Sequence, residues 1–128
     1  MKLKTILVIN AILLGLFGLA SLFAPEASAA PYGLTLDPLS KHLNQVLGAF
    51  FLGFAVLSWM SRKVTDSNAL RAILLAFFIS YIISMVISII DILAGLGNVF
   101  GWSSVVLYLL LLIGFGYYLF VNPAFPEE

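Results

Sequence analysis

The chain has 128 residues, six basic and six acidic, so its formal net charge is zero; 9% of it is charged and 62% is hydrophobic. No cysteine and a single histidine exclude a disulfide framework, a thiolate metal site, a cysteine nucleophile and a histidine-rich metal cluster. A neutral balance offers nucleic acid no basic footprint, and apolar content this high, gathered into long uncharged stretches, predicts an integral membrane protein.

The first stretch, "MKLK" followed by "TILVINAILLGLFGLASLFAPEASAA", imitates a secretory signal, with a basic start, an apolar run and Ala27-Ser28-Ala29 as a cleavage-like site. Its apolar run from Thr5 to Ala24 is 20 residues. That is longer than a usual signal core and long enough to span a membrane. The expectation is therefore a retained membrane helix over 3–24, stopped by Pro25. A loop over 25–37 follows, with Pro31-Tyr32-Gly33 as its turn.

The second apolar segment covers 38–61. Asp37 before Pro38 reads as an N-cap with proline at the first helical position. The third covers 69–94, with Asp66 or Ser67 as the cap and Gly95 and Gly97 as the stop. The fourth covers 102–121 and is halted by Pro123. Each is close to the roughly 20 residues that cross about 30 Å of hydrocarbon. Short connections predict antiparallel neighbours, hence a single all-α domain: an up-down four-helix transmembrane bundle in the lipid bilayer.

With four crossings, Lys2, Lys4, Arg62, Lys63 and Arg71 fall on one side and Lys41 alone on the other. Loops rich in Lys and Arg stay in the cytoplasm, so both termini are expected there. The membrane expected is a bacterial cytoplasmic (inner) membrane or an equivalent energy-transducing one. Trp59, Tyr117 and Tyr118 would lie at the inner interface, and Tyr32 and Trp102 at the outer one.

Polar groups inside the spans are the candidates for chemistry. Asp91 lies 20 residues beyond Arg71, about 30 Å of helix, so it belongs near the outer boundary. A carboxylate at a helix C-terminus meets the unfavourable end of the dipole. Asp91 is therefore expected to engage Lys41, His42 or Asn44, directly or through water. Ser80, Ser84, Ser88 and Asp91 share one helical face. Their hydroxyls are expected to bond i−4 carbonyls or a neighbouring helix. Asn10 is expected to face another helix, with Ser58 and Ser80 at matching heights. Small residues mark places of close approach: Ala11, Gly15 and Gly18; Gly48, Ala49 and Gly53; Gly114 and Gly116. Paired rings such as Phe50-Phe51 and Phe77-Phe78 are core or lipid-facing filler, or the lining of a site for a flat hydrophobic molecule. The lone His42 reads as solvated, with axial ligation of a tetrapyrrole as the alternative.

The stretch "SLFAPEASAAPYGLTLDP" followed by "LGAFFLGFAVLSWMSR", and later "LGNVFGWSSVVLYLLLLIGFGYYLF", resembles small bacterial four-helix membrane proteins of the DoxX-like kind. Their pattern is an apolar helix ending in Phe-x-Pro, a Tyr-Gly-Leu turn and a glycine-rich helix closing with Trp-x-x-Arg. The resemblance implies a four-helix membrane bundle and, for some relatives, oxidoreductase partners. It carries over no functional residue.

No GxSxG, HExxH, phosphate loop or workable carboxylate pair is present, so no catalytic residue is expected. The first expectation is a non-enzymatic membrane protein, an accessory subunit packing against a larger membrane complex or against copies of itself. The second is a binder or carrier of a hydrophobic small molecule (lipid, quinone or pigment) near the outer leaflet, around Asp91, Ser88, His42 and Asn44. Asn10, Ser80 and Ser84 would serve as interhelical polar groups.

Overall fold

The computed structural model describes residues 3–121, and its elements among them are all helical. Helix α1 is Leu3–Phe23, α2 is the short Pro25–Ala29, α3 is Pro38–Met60, α4 is Ser67–Leu93 and α5 is Gly101–Gly116. A 3-10 turn, Ala30–Tyr32, continues α2, another, Ser61–Lys63, continues α3, and a π-helical turn, Tyr117–Val121, continues α5. Four spans are long and apolar enough to cross a membrane: Leu3–Phe23, Pro38–Lys63, Ser67–Leu93 and Gly101–Val121. Their outward faces carry large apolar side chains; Leu16, Val56, Leu110 and Phe120 are each at least 60% exposed. A surface of that kind suits hydrocarbon rather than water.

The helix starts follow local chemistry. Asp37 accepts a 2.7 Å hydrogen bond from the Ser40 amide, with Pro38 in the first turn. Asp66, rather than Ser67, caps α4, accepting from the amides of Asn68 and Ala69. After α4 the chain turns through Gly95 and Gly97, at φ of 87° and 77°, values that suit a residue without a Cβ. Pro123, expected to halt the last span, and Lys2 lie outside the described residues.

The connection after α1 departs from the expected loop. Pro25 opens a helical turn through Ala29, and the 3-10 turn after it closes on Gly33 at φ of 72°. Proline at the first helical position and an alanine-rich composition explain it.

Packing is uneven. Helices α1 and α3 form one close pair, α4 and α5 another, while α1 and α5 touch more lightly. In the first pair Gly18 and Gly48 face each other. A Cβ on Gly18 would meet the Gly48 carbonyl oxygen at 2.9 Å, and one on Gly48 would meet the Gly18 oxygen at 2.8 Å. The second pair packs rings: Phe77 stacks on Phe115 with centroids 5.5 Å apart, and Tyr81 stacks on Tyr108 at 6.0 Å. The tight turn between α3 and α4 does not make them a close pair. Bulky rings lie between them instead, with Phe54 edge-on to Phe77 at 6.4 Å. The core gathers around Leu7, Leu74, Phe77, Tyr81 and Phe115.

Candidate functional site

Three polar side chains meet in the apolar interior. Asn10 on α1 is fully buried and donates from Nδ2 to Ser58 Oγ on α3 at 3.1 Å. Ser58 Oγ donates in turn to the Leu7 carbonyl at 2.7 Å. Tyr81 on α4 donates its hydroxyl to Asn10 Oδ1. Asn10 thus joins three of the four spans. An amide in hydrocarbon is costly unless its donor and acceptor are both used, and here both are. Ser58 was an expected partner. Ser80, the other, donates instead to its own i−4 carbonyl, that of Ala76, at 2.7 Å.

Beside this network lies a cavity of about 290 Å³ between the two helix pairs. Its walls are mainly apolar: Leu14 and Phe17 from α1, Phe51 and Phe54 from α3, Phe77 from α4, Leu107 and Leu111 from α5. Hydroxyls interrupt them. Tyr32, Ser80, Tyr81, Ser84, Ser104 and Tyr108 all reach the lining, and among the described residues no charged side chain does. Four of these are already engaged, because Tyr32 and Ser104 bond each other at 2.9 Å, Tyr81 bonds Asn10 and Ser80 bonds Ala76. Among the described residues, Ser84 and Tyr108 make no hydrogen bond through their hydroxyls.

The two loops meet beside the cavity at Tyr32. The Tyr32 ring packs edge-on to Phe100 at 4.9 Å, and Asn98 donates to the Pro31 carbonyl at 3.0 Å. The side between α3 and α4 is open. Phe54 is 45% exposed, and Ala76 and Ser80 are exposed too, although all three belong to the lining.

The residues singled out around Asp91 lie elsewhere. Asp91, Ser88, His42 and Asn44 do not line the cavity. Asp91 occupies the last turn of α4, half-buried, and its carboxylate has no hydrogen bond or ion pair among the described residues. The expected direct contact with Lys41, His42 or Asn44 is not made. Lys41 Nζ lies 3.1 Å from Glu26 Oε1 instead, His42 is exposed, and the buried Asn44 Oδ1 has no partner among the described residues. The unforeseen helix α2 brings Glu26 to Lys41, while α3 and α4 do not form a close pair. Of the serine track, Ser80 and Ser84 reach the cavity; Ser88 is half-buried with no hydroxyl partner among the described residues.

Sequence reasoning passed over Tyr81, Tyr108 and Tyr32 as site residues. A signal was available: a tyrosine well inside an apolar span carries a hydroxyl that needs a partner.

At the Lys63 end, Arg62 stacks its guanidinium over the Trp59 ring at 3.7 Å and donates to the Trp59 carbonyl at 2.8 Å. Aromatic and basic groups placed together in this way suit a membrane interface. Among the described residues no three His, Asp or Glu side chains come together in a way that would hold a metal ion.

No curated protein and no solved structure matches the chain. Residues 8–126 match a protein family described as "Domain of unknown function (DUF8292)". The match takes in most of the first span, all of the other three and every residue that lines the cavity, and the chain belongs to that family.

Proposed function

We propose that the protein binds a hydrophobic small molecule inside the membrane, in the cavity between its two helix pairs. The observation that carries this reading is the cavity itself: about 290 Å³, apolar walls, a few hydroxyls and an open side between α3 and α4. Ligand sites are concave and mostly apolar, with a few polar groups that set orientation. The site belongs at Tyr108 and Ser84 rather than around Asp91.

The reading includes an up-down antiparallel bundle. Its support is the way partners run in opposite order along α1 and α3: Asn10 with Ser58, Gly15 near Ala55, Gly18 against Gly48, and Leu22 with Gln45. It also includes a membrane orientation with both termini in the cytoplasm, as the distribution of Lys and Arg suggests. The likeness to DoxX-like proteins belongs to the same proposal.

Native mass spectrometry of the protein purified in mild detergent tests binding. The expected result is a small molecule retained by the wild type and lost from Leu107→Trp, which fills the cavity. A wild type with no adduct, or an adduct equally present in Leu107→Trp, overturns the reading.

A second reading, an accessory subunit, is favoured by Ala49 and Gly53. Both are exposed on α3, and a Cβ on Gly53 would meet nothing within 4 Å. Close approach by another helix would use such a face. A defined partner that copurifies with the wild type and is lost with Gly53→Leu supports it; unchanged copurification counts against it.

A further inference from the structure

We infer that the cavity takes an uncharged amphiphile headed by a carbonyl group, and that this molecule enters sideways from the lipid between α3 and α4. The inference rests on the binding reading above and adds the chemistry of the head and its route. Tyr108 and Ser84 carry the two hydroxyls in the lining that make no hydrogen bond among the described residues. A hydroxyl placed in an apolar wall without a partner is costly, so a ligand acceptor that takes its proton is favoured.

Charge is the second constraint. Among the described residues, no Lys, Arg or His lines the cavity. Tyr108 is seven residues into α5, about 10 Å along the helix. An anionic head there would give up its hydration without gaining a cation. A neutral carbonyl loses far less water and recovers it from two hydroxyl donors. The rings of Phe51, Phe54, Phe77 and Tyr108 border the same space and suit an aromatic head group.

The route follows from the two ends. At the loop end the Tyr32–Ser104 bond and the Tyr32–Phe100 contact tie the connection after α1 to the start of α5. On the α3/α4 side the lining residues Phe54, Ala76 and Ser80 are exposed, and α3 and α4 are not closely packed. At about 290 Å³ the cavity holds a head group and the start of a chain. An acyl tail would leave past Phe54 and Ala76 into the bilayer.

The test uses the full chain in phosphatidylcholine vesicles and the probe 4-dodecylbenzophenone, a neutral aryl ketone that crosslinks to nearby C–H groups on illumination. Labelled peptides are located by mass spectrometry. Label is expected on cavity residues, falling roughly fivefold in Tyr108→Phe and in Ser84→Ala and almost vanishing in Ala76→Trp, which plugs the side opening. Helical circular dichroism checks each variant, and the conservative Tyr108→Phe keeps the test decisive if Ala76→Trp does not fold. Excess methyl 4-dodecylbenzoate is expected to compete, and its anionic acid, 4-dodecylbenzoate, is not. Cavity label that ignores both hydroxyl variants, or equal competition by ester and acid, overturns the inference while leaving the binding reading in place. Undiminished label in folded Ala76→Trp overturns the sideways route. Label confined to lipid-facing surfaces overturns the binding reading and this inference with it.

Discussion

Asn10 was legible as a residue needing a partner, because an amide about 9 Å beyond Lys4 along the helix cannot be left bare in hydrocarbon. Which partner it takes was not legible. The choice between Ser58, Ser80 and Tyr81 depends on how each helix is rotated about its axis, and several faces of these helices are almost equally apolar. Asn10→Ala leaves the Tyr81 hydroxyl without its acceptor, so a loss of about 1–3 kcal/mol is expected in unfolding measurements in detergent. Tyr81→Phe removes donor and need together and should cost less. A double-mutant cycle should return a coupling of about 0.5–2 kcal/mol; zero coupling would mean that the bond does not hold the spans together. Asp37 acts at the water side. Its hydrogen bonds with Ser40, the backbone amide above all, hold its carboxyl below the ordinary value of 3.8. A depressed carboxylate contributes stability above its unfolded pKa and loses it as pH falls through the folded one. The stability difference between the wild type and Asp37→Asn should therefore shrink as pH drops below about 4. A difference that stays constant from neutral pH down past that range would remove the carboxylate's charge from the explanation.

At the scale of elements, four spans and their ends were readable because length, hydropathy and cap chemistry are local. The expected 69–94 span begins two residues earlier, at Ser67, since Asp66 is the cap that bonds the first amides. Helix α2 is equally local, yet Pro25 and the alanines after it also imitate a cleavage site, and those letters do not separate a helical turn from a loop. Small residues were readable as candidates for close contact but not as pairs. Gly18 and Gly48 are a true contact, and each opposes backbone that cannot yield cheaply. Gly18→Ala and Gly48→Ala should each lower the melting temperature in detergent clearly, by about 1–3 kcal/mol of overpacking. Gly53→Ala, in open space, should hold or raise it, since alanine is the better helix former. Gains at all three positions would mean that helix propensity outweighs packing at these glycines, and equal losses would mean that the Gly18–Gly48 contact does not set the cost.

At the scale of the molecule, the two-pair arrangement positions the cavity and its open side. The sequence contains no cysteine, so one introduced thiol reports its own location. Thr35 and Lys63 are both exposed, on the two connections that follow α1 and α3. In intact cells a membrane-impermeant maleimide should label Thr35→Cys, and should reach Lys63→Cys only after permeabilisation. Both reacting from the same side would overturn the up-down arrangement.

Residue order alone determined that this chain has four helical stretches able to cross a membrane, because a helix in the bilayer must satisfy its backbone amides within itself and so makes each span a property of its own residues. Only the tertiary structure decided that Glu26 rather than Asp91 meets Lys41, that α3 and α4 stand apart, and that Tyr108 and Ser84 share a cavity. Those outcomes depend on the rotation and pairing of helices whose lipid-facing and partner-facing sides are both apolar. Where hydropathy does not distinguish the two sides, ring shape, glycine contacts and a few hydrogen bonds choose between them.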